Sequence, residues 1–302
     1  MTYSMEGKAD LHTHTKHSGL TQVSILRFPD SISEPAALVK AAEREKLNVL
    51  CVTDHNTIRG GLEAKKFSSS VEVVVGEEVN TLNGDMIALF LNETIPRHLS
   101  PEETIDRIHA QGGLAIAAHP FSADCDSLGF KVLELKLDGI EVFNAAQRDG
   151  LSNATAQKLT MGKVDVAFVG ASDAHTPAMV GNAYTIFEGQ TAEELRKAII
   201  QKKTRFGGNV TPLGEFVWLA TITSANMYAI LARSLLRLPM KEENEAAIAV
   251  STMRSISKFV SLVGAGTFVL PPFPLLAAIA GDRIHRSKAR ITVADFLKQA
   301  RL

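Results

Sequence analysis

The chain has few cysteines and almost no excess charge, and both shortages exclude classes of protein. Its 302 residues include two cysteines, Cys51 and Cys125, too few for a disulfide framework or a thiolate metal site. The net charge is −1, so the chain lacks the basic character of nucleic-acid-binding proteins. Residues 1–6 show no apolar segment of the kind found in signal peptides. Together these features predict a cytoplasmic protein with room for one large domain and an appendage.

Short clusters of metal-binding side chains recur along the chain, each at the end of a predicted β-strand. They are Asp10-Leu11-His12-Thr13-His14, Thr53-Asp54-His55, Ala118-His119-Pro120 and Ser172-Asp173-Ala174-His175, and Gly76-Glu77-Glu78 adds an acidic position. In a β/α barrel the carboxyl ends of the strands all meet at one face. The clusters therefore predict a single multinuclear metal site built from barrel loops.

The spacing of His12 and His14 supports a shared ion. Residues two apart on a strand point to the same face, whereas a helix would point them about 200° apart. A single histidine is more often an ordinary core or surface residue. The pair indicates a metal site only together with the other clusters, which add carboxylates and further histidines. Imidazole and carboxylate ligands together suit Zn²⁺, Mn²⁺ and Fe²⁺.

Predicted strands alternate with predicted helices. Apolar runs predict strands over residues 47–53, 71–75, 86–91, 114–118, 139–143, 164–170 and 184–187. Ser33 is the predicted cap of a helix over residues 34–45, and capping boxes at Ser100 and Thr191 predict helices ending near residues 111 and 202. This alternation predicts an α/β fold with a parallel array closed or nearly closed into a barrel.

The ordered motifs resemble those of the PHP (polymerase and histidinol phosphatase) superfamily over residues 8–208. These motifs are Asp-Leu-His-x-His, Thr-Asp-His, Gly-x-Glu, Ala-His-Pro, Glu-x-x-Asn and Ser-Asp-x-His. The resemblance implies a distorted (β/α)7 barrel with two to three divalent ions at the strand ends. Characterised members are mostly phosphoesterases of small phosphomonoesters or nucleotide ends, and some are nuclease or proofreading modules of DNA polymerases.

The resemblance also assigns roles to individual residues. The first ion matches four ligands: His12, His14, Glu78 and Asp173. His55 and His175 match ligands of a second ion. The family supplies that ion with a further residue after the first motif. We expect Asp30, which lies five residues before Pro35, with His17 as the rival.

The ligands expected for a third ion are incomplete. His119 matches a ligand of this ion, but the family has another histidine where this chain reads Gly84-Asp85-Met86. Methionine is a poor ligand for a hard cation, and Asp85 is the residue that could substitute.

The expected chemistry is hydrolysis of a phosphomonoester. A hydroxide on the ions held by His12, His14, Glu78 and Asp173 would attack phosphorus. Arg148 is a candidate to hold the substrate phosphate, and an exposed arginine at a helix start is the alternative. The rival functions are a nuclease, for which the motifs lack a nearby basic stripe, and a metal-stabilised scaffold that binds a partner.

Residues 209–302 are predicted to form a mainly helical, apolar extension of the domain at residues 1–208. Uncharged runs cover residues 216–232 and 259–280, and basic residues follow the second run. One interpretation is a membrane-associated hairpin at the inner face of the cell membrane. Pro271-Pro272-Phe273-Pro274 would break such a helix. The runs fit equally well helices that cover the barrel or form a homo-oligomer interface.

Overall fold

A mixed β-sheet that nearly closes on itself forms the centre of the computed structural model, which describes residues 5–23, 26–68, 70–239, 245–270 and 272–300. Within these residues the strands are β1 (Glu6–Asp10), β2 (Leu20–Val23), β3 (Leu26–Pro29), β4 (Val49–Val52), β5 (Glu72–Asn80), β6 (Asp85–Leu89), β7 (Leu114–Ala117), β8 (Gly139–Asn144), β9 (Ala167–Ala171), β10 (Ala183–Glu188) and β11 (Arg205–Gly208). The helices are α1 (Pro35–Arg44), α2 (Arg59–Ala64), α3 (Pro101–Ala110), α4 (Ser152–Thr160), α5 (Ala192–Ile200), α6 (Leu213–Leu235), α7 (Glu245–Ser251), α8 (Ser255–Val269) and α9 (Phe273–Gln299).

The sheet has the strand order β11-β10-β1-β4-β5-β6-β7-β8-β9. Its two ends approach each other where Thr185 of β10 bonds to the backbone of Gly170 in β9. The Thr185 hydroxyl donates to the Gly170 carbonyl at 2.8 Å and accepts from the Gly170 amide at 3.1 Å. The predicted α/β barrel with a helical C-terminal region is therefore confirmed.

The sheet is mixed, unlike the parallel array that the alternation predicts. Parallel pairs join β1 to β4, β4 to β5, β7 to β8 and β8 to β9. In contrast, β6 and β10 run antiparallel to both of their neighbours. Residues 81–84 link β5 to β6, and a connection this short can make a hairpin but cannot make a parallel crossover.

The predicted helix starts are confirmed in two places and wrong in one. Thr191 forms a full capping box with Glu194, and the Ser100 hydroxyl accepts from the Glu103 amide at 3.1 Å. The predicted cap of α1 by Ser33 is wrong, because Glu34 occupies the N-cap position and makes no side-chain cap. Ser33 instead donates to the His175 carbonyl at 3.0 Å, which connects the start of α1 to the loop after β9.

The two apolar C-terminal runs fold as helices. Residues 216–232 lie within α6, and residues 259–280 are divided between α8 and α9. Pro272 and Pro274 lie at the start of α9, and Pro271 lies outside the described residues. Among the helices that the structure describes, none combines the length and apolarity needed to cross a membrane. The division at residue 208 stays a prediction; β11 ends at Gly208 and α6 begins at Leu213.

Aromatic packing fixes α9 to the barrel. The Phe296 ring lies 5.2 Å from that of Phe121 and 5.8 Å from that of Phe130, both at steep angles. Such edge-to-face pairs add to the free energy gained by burial. Phe121 is fully buried after β7, so the last helix is packed directly against the barrel core.

We expect Phe296→Ala to lower the free energy of unfolding by about 2 kcal/mol. A fully buried phenylalanine costs about 3–5 kcal/mol when truncated, and Phe296 is half-buried. Urea unfolding followed by circular dichroism would measure the change. Phe259→Ala on α8 is the matched control, because Phe259 is 60% exposed and should change stability by about 0.5 kcal/mol or less. Equal effects of the two changes would contradict this packing.

Candidate metal centre

The predicted metal ligands lie together at the carboxyl ends of the barrel strands. His12 and His14 follow β1, His55 follows β4, His119 follows β7, and Asp173 and His175 follow β9. Glu78 lies in the part of β5 that extends beyond its pairing with β4, and Asp30 follows the β2–β3 hairpin. Residues spread over more than half of the chain therefore meet in one place.

Glu78 lies at the centre of this cluster. Its Oε2 is 3.1 Å from His12 Nε2, 3.4 Å from His14 Nε2 and 3.3 Å from His55 Nε2. Its Oε1 is 3.0 Å from His119 Nε2. One carboxylate thus contacts imidazoles from three separate strand ends, as a ligand shared between ions would.

Two aspartates complete the cluster on either side of His14. Asp173 Oδ1 lies 3.2 Å from His14 Nε2 and 3.6 Å from His12 Nε2. Asp30 Oδ2 lies 3.3 Å from His175 Nε2 and 3.6 Å from His14 Nδ1.

The rival of Asp30 points elsewhere. His17 Nε2 lies 2.9 Å from Glu63 Oε2, outside the cluster that Asp30 joins. Of the two candidates that the sequence offers for this position, the structure therefore brings Asp30 to the other ligands.

The ligand atoms form overlapping groups of three in which all atoms lie within 4.8 Å of one another. These groups are His12-His14-Glu78, His12-His119-Asp173, His14-Asp30-His175 and Glu78-Asp85-His119. The last group includes Asp85, which stands where the resembling family has a histidine. Asp85 is thus close enough to His119 and Glu78 to take the place of that histidine as a ligand.

Several buried atoms of the cluster fit a cation. His12 Nε2, His14 Nε2 and Asp30 Oδ2 are buried, and their close contacts with neighbouring carboxylates and imidazoles lack the geometry of hydrogen bonds. Unpartnered polar atoms are costly in a protein interior and usually have a partner such as water or an ion. Because the donors are imidazole nitrogens and carboxylate oxygens, they suit divalent Zn, Mn or Fe.

The histidines and the carboxylates of the cluster stabilise each other's charged forms. Burial alone would raise the pKa of Asp173, but His12, His14 and His175 hold it well below its usual range. Burial disfavours the charged form of His175, yet Asp30 and Asp173 together raise its pKa to about 10. Burial also disfavours the charged form of His119, but Glu78 raises the pKa of His119 to about 9. A bound cation would displace these imidazole protons.

Glu141 contacts two of the predicted ligands on the side away from the centre of the cluster. Its motif alone does not reveal this role. Its Oε1 is 3.3 Å from His12 Nδ1, and its Oε2 accepts from the His119 amide at 2.7 Å. Asn144 donates to Glu141 at 2.9 Å and to Asp173 at 3.2 Å. The Glu-x-x-Asn motif is the sequence signal for both residues, and their hydrogen bonds orient three ligands.

Ser18 is a supporting residue that sequence reasoning missed. Its hydroxyl lies 2.9 Å from His14 Nδ1 and accepts from the His55 amide at 3.0 Å. It lies in a segment that matches no motif, so no sequence signal could have identified it.

Two of the predicted ligands have backbone conformations that are unusual for their residue types. Asp173 has φ of 54° and His119 has φ of 26°. Residues with side chains adopt positive φ at a cost, which is commonly found at functional sites. The contacts of Glu141 and Asn144 described above help to hold both residues in place.

Arg148 lies beside the cluster but is engaged with the C-terminal region. Its guanidinium donates to the Thr211 carbonyl, and its Nε lies 3.5 Å from Asp282 Oδ1. These contacts attach α9 and the segment before α6 to the loop after β8. A role in holding phosphate stays a prediction.

A family model and two proteins of one organism match parts of this chain. The family model described as PHP-associated matches residues 150–204. An uncharacterised protein of Methanocaldococcus jannaschii is 55% identical over 151 residues, covering 49% of this chain and 88% of its own. A second from that organism is 33% identical over 194 residues, covering 62% of this chain and 73% of its own.

A solved structure also resembles this chain. It is that of a candidate metal-dependent phosphoesterase from Bifidobacterium adolescentis, with 16% identity and a TM-score of 0.45. The match covers 68% of this chain and 98% of the other.

Proposed function

The chain belongs to the PHP (polymerase and histidinol phosphatase) superfamily, and we propose that it is a metal-dependent phosphoesterase that hydrolyses a small phosphomonoester. The observation that carries this proposal is the set of overlapping ligand groups centred on Glu78. Overlapping groups fit more than one ion, and centres with several ions are typical of enzymes that hydrolyse phosphoesters.

The proposed ligands divide into two sets that share Glu78. His12, His14 and Asp173 would hold one ion together with Glu78. Asp30, His55 and His175 would hold a second. When bound, divalent ions polarise a phosphate, neutralise its charge and lower the pKa of water.

Neighbouring polar residues orient the side chains of these proposed ligands. Glu141 and Ser18 contact the Nδ1 atoms of His12 and His14, which leaves each Nε2 directed at the centre. Such contacts fix the tautomer and the ring orientation. His12, His14 and Glu78 are almost completely buried, so their electrostatic interactions are stronger than they would be in water.

An activity screen tests the proposal. The purified protein, loaded with Mn²⁺, Zn²⁺ or Fe²⁺, should release phosphate from at least one phosphomonoester among nucleotides, sugar phosphates, histidinol phosphate and alkyl phosphates. EDTA should stop the reaction. Single-stranded DNA belongs in the same panel, because cleavage of DNA alone would favour a nuclease. Failure to hydrolyse any phosphoester with any of these metals would contradict the proposal.

We expect Asp85→Ala to lower kcat/KM by about tenfold to a hundredfold, the range typical of a residue that supports a metal site. Asp85 belongs to one ligand group only, so the loss should be smaller than for a shared ligand. Asp85→His, which introduces the residue of the resembling family, should retain more activity than Asp85→Ala. Steady-state kinetics at saturating Mn²⁺ would compare the three proteins. Unchanged activity in Asp85→Ala would exclude this residue from the site.

A further inference from the structure

A cavity of about 460 Å³ joins the candidate metal centre to the C-terminal helices. Its lining includes Asp30, Asp173 and His175, and α6 and α9 form much of the remainder. This volume falls within the range of about 300–1,000 Å³ that is usual for small-molecule sites. A molecule with one end at the proposed ligands would therefore extend between the barrel and the helical extension.

The exposed surface of this cavity is mostly apolar, and α6 and α9 supply many of its apolar side chains. The apolar lining residues include Phe28, Leu213, Phe216, Leu219, Ala220 and Ala278. Four of these six residues belong to α6, which the barrel core does not fully bury. Apolar residues of the extension thus form part of the cavity wall beside the candidate metal centre.

Many polar side chains of the lining are engaged within the protein. Asp149 accepts from the Leu151 amide at 2.6 Å and from the Ser152 hydroxyl at 2.7 Å. Thr223 donates to the Leu219 carbonyl at 2.8 Å. Groups already paired in this way offer few hydrogen bonds to the hydroxyls of a sugar or to the edge of a base.

The charged side chains that line the cavity, apart from the proposed ligands, disfavour a second phosphate. Asp282 pairs with Arg148 and Arg286, and Asp124 pairs with His285. The cationic side chains there are thus already bound to carboxylates. A polyphosphate or a nucleic-acid strand would meet carboxylates without a free basic groove.

We propose that the substrate is a phosphomonoester of an apolar alcohol, whose apolar group occupies this cavity. This inference rests on the proposed phosphoesterase function. Water adds its oxygen to phosphorus, and the bond from phosphorus to the alcohol oxygen breaks. The alcohol oxygen takes a proton, so the products are inorganic phosphate and the free apolar alcohol.

A series of alkyl phosphates tests this substrate class. With the full-length protein in Mn²⁺, kcat/KM should rise about fourfold per methylene from ethyl to octyl phosphate until the cavity is full. Glucose 6-phosphate and AMP should be poorer substrates than octyl phosphate. Equal kcat/KM along the series, or a preference for the polar esters, would overturn the inference.

Two matched substitutions on α6 locate the effect. Ala220 lines the cavity, and Ala225 is exposed on the same helix. Ala220→Phe should lower the octyl-to-ethyl ratio of kcat/KM by about tenfold, because added side-chain volume displaces the alkyl group. Ala225→Phe should keep the wild-type ratio. Should Ala220→Phe not fold, Leu219→Ala removes apolar surface from the same wall and should also lower the ratio. An unchanged ratio in the folded cavity variant would contradict the proposal.

Binding of alkylphosphonates separates this inference from the proposed function, because their C–P bond is not hydrolysed. Calorimetry should show octylphosphonate binding at least tenfold more tightly than ethylphosphonate. Hydrolysis without any dependence on chain length would refute the apolar substrate alone. Tighter octylphosphonate binding without hydrolysis of any ester would refute the phosphoesterase function and support the apolar ligand. The absence of a chain-length effect in both assays would overturn the inference.

The apolar alcohol could come from a soluble amphiphile or from a membrane lipid. Phosphatidic acid in phosphatidylcholine vesicles, compared with octyl phosphate in solution, distinguishes the two sources. Faster release from the vesicles indicates a lipid headgroup, and faster release from octyl phosphate indicates a free amphiphile. Both results support the apolar substrate, whereas release from neither ester by a protein that hydrolyses AMP or glucose 6-phosphate contradicts it.

Discussion

Replacing Glu78 with glutamine should remove bound metal and lower kcat/KM by about a thousandfold or more. The side chain keeps its size but loses the charge that lies within 3.4 Å of imidazoles from His12, His14, His55 and His119. Loss of one shared ligand would weaken the binding of every ion that it contacts, so the effect should exceed the loss of about 10–100-fold that is typical of residues supporting a metal site. Steady-state kinetics and elemental analysis would measure both losses.

Glu77→Gln is the matched control for this change. Glu77 is the preceding residue of β5, but its side chain accepts from the Ile95 amide at 2.9 Å, away from the cluster. Burial raises the pKa of Glu77 to about 8, so glutamine resembles the protonated form present at pH 7. This variant should keep its metal and its activity. Retention of both properties by Glu78→Gln would remove Glu78 from the centre.

Removal of the metal should lower the melting temperature by about 10 °C. A ligand present at a thousand times its dissociation constant stabilises the folded state by about 4 kcal/mol, and each kcal/mol shifts a domain of this size by about 2–4 °C. Without cations, the buried carboxylates of Asp30, Glu78 and Asp173 depend on protonated histidines for compensation. Thermal unfolding in EDTA, followed by addition of Mn²⁺, would measure the shift.

The same measurement on Glu78→Gln provides the control. If the shift comes from the proposed centre, EDTA should have little effect on this variant. Identical unfolding curves for the wild-type protein with and without EDTA would indicate that the cluster holds no tightly bound ion.

The strand-end motifs carry most of what could be predicted about the site. His12 and His14 share a face because residues two apart on a strand do so, and the structure places both beside Glu78. The parallel strands bring His55 and Asp173 to the same face for the reason that barrels always do. The strand pattern was sufficient to predict that these residues lie at strand ends, whereas their division between particular ions came from the resemblance to the PHP superfamily.

Other features depend on contacts that no local pattern encodes. Ser33 has the residue type of a helix cap, but the loop carrying His175 competes for its hydroxyl. Ser18 reaches His14 from a segment without a motif. The cavity under α6 forms only when the extension packs on the barrel. The apolar run at residues 216–232 therefore fitted a membrane hairpin and a cover for the barrel equally well.

Anomalous X-ray scattering from crystals grown with Mn²⁺ would test most directly whether the separate motifs hold a shared multinuclear centre. We expect at least two adjacent anomalous peaks, one near His12 and Asp173 and one near Asp30 and His175, with Glu78 between them. A single peak, or peaks only at the protein surface, would contradict the proposed centre and the phosphoesterase function built on it.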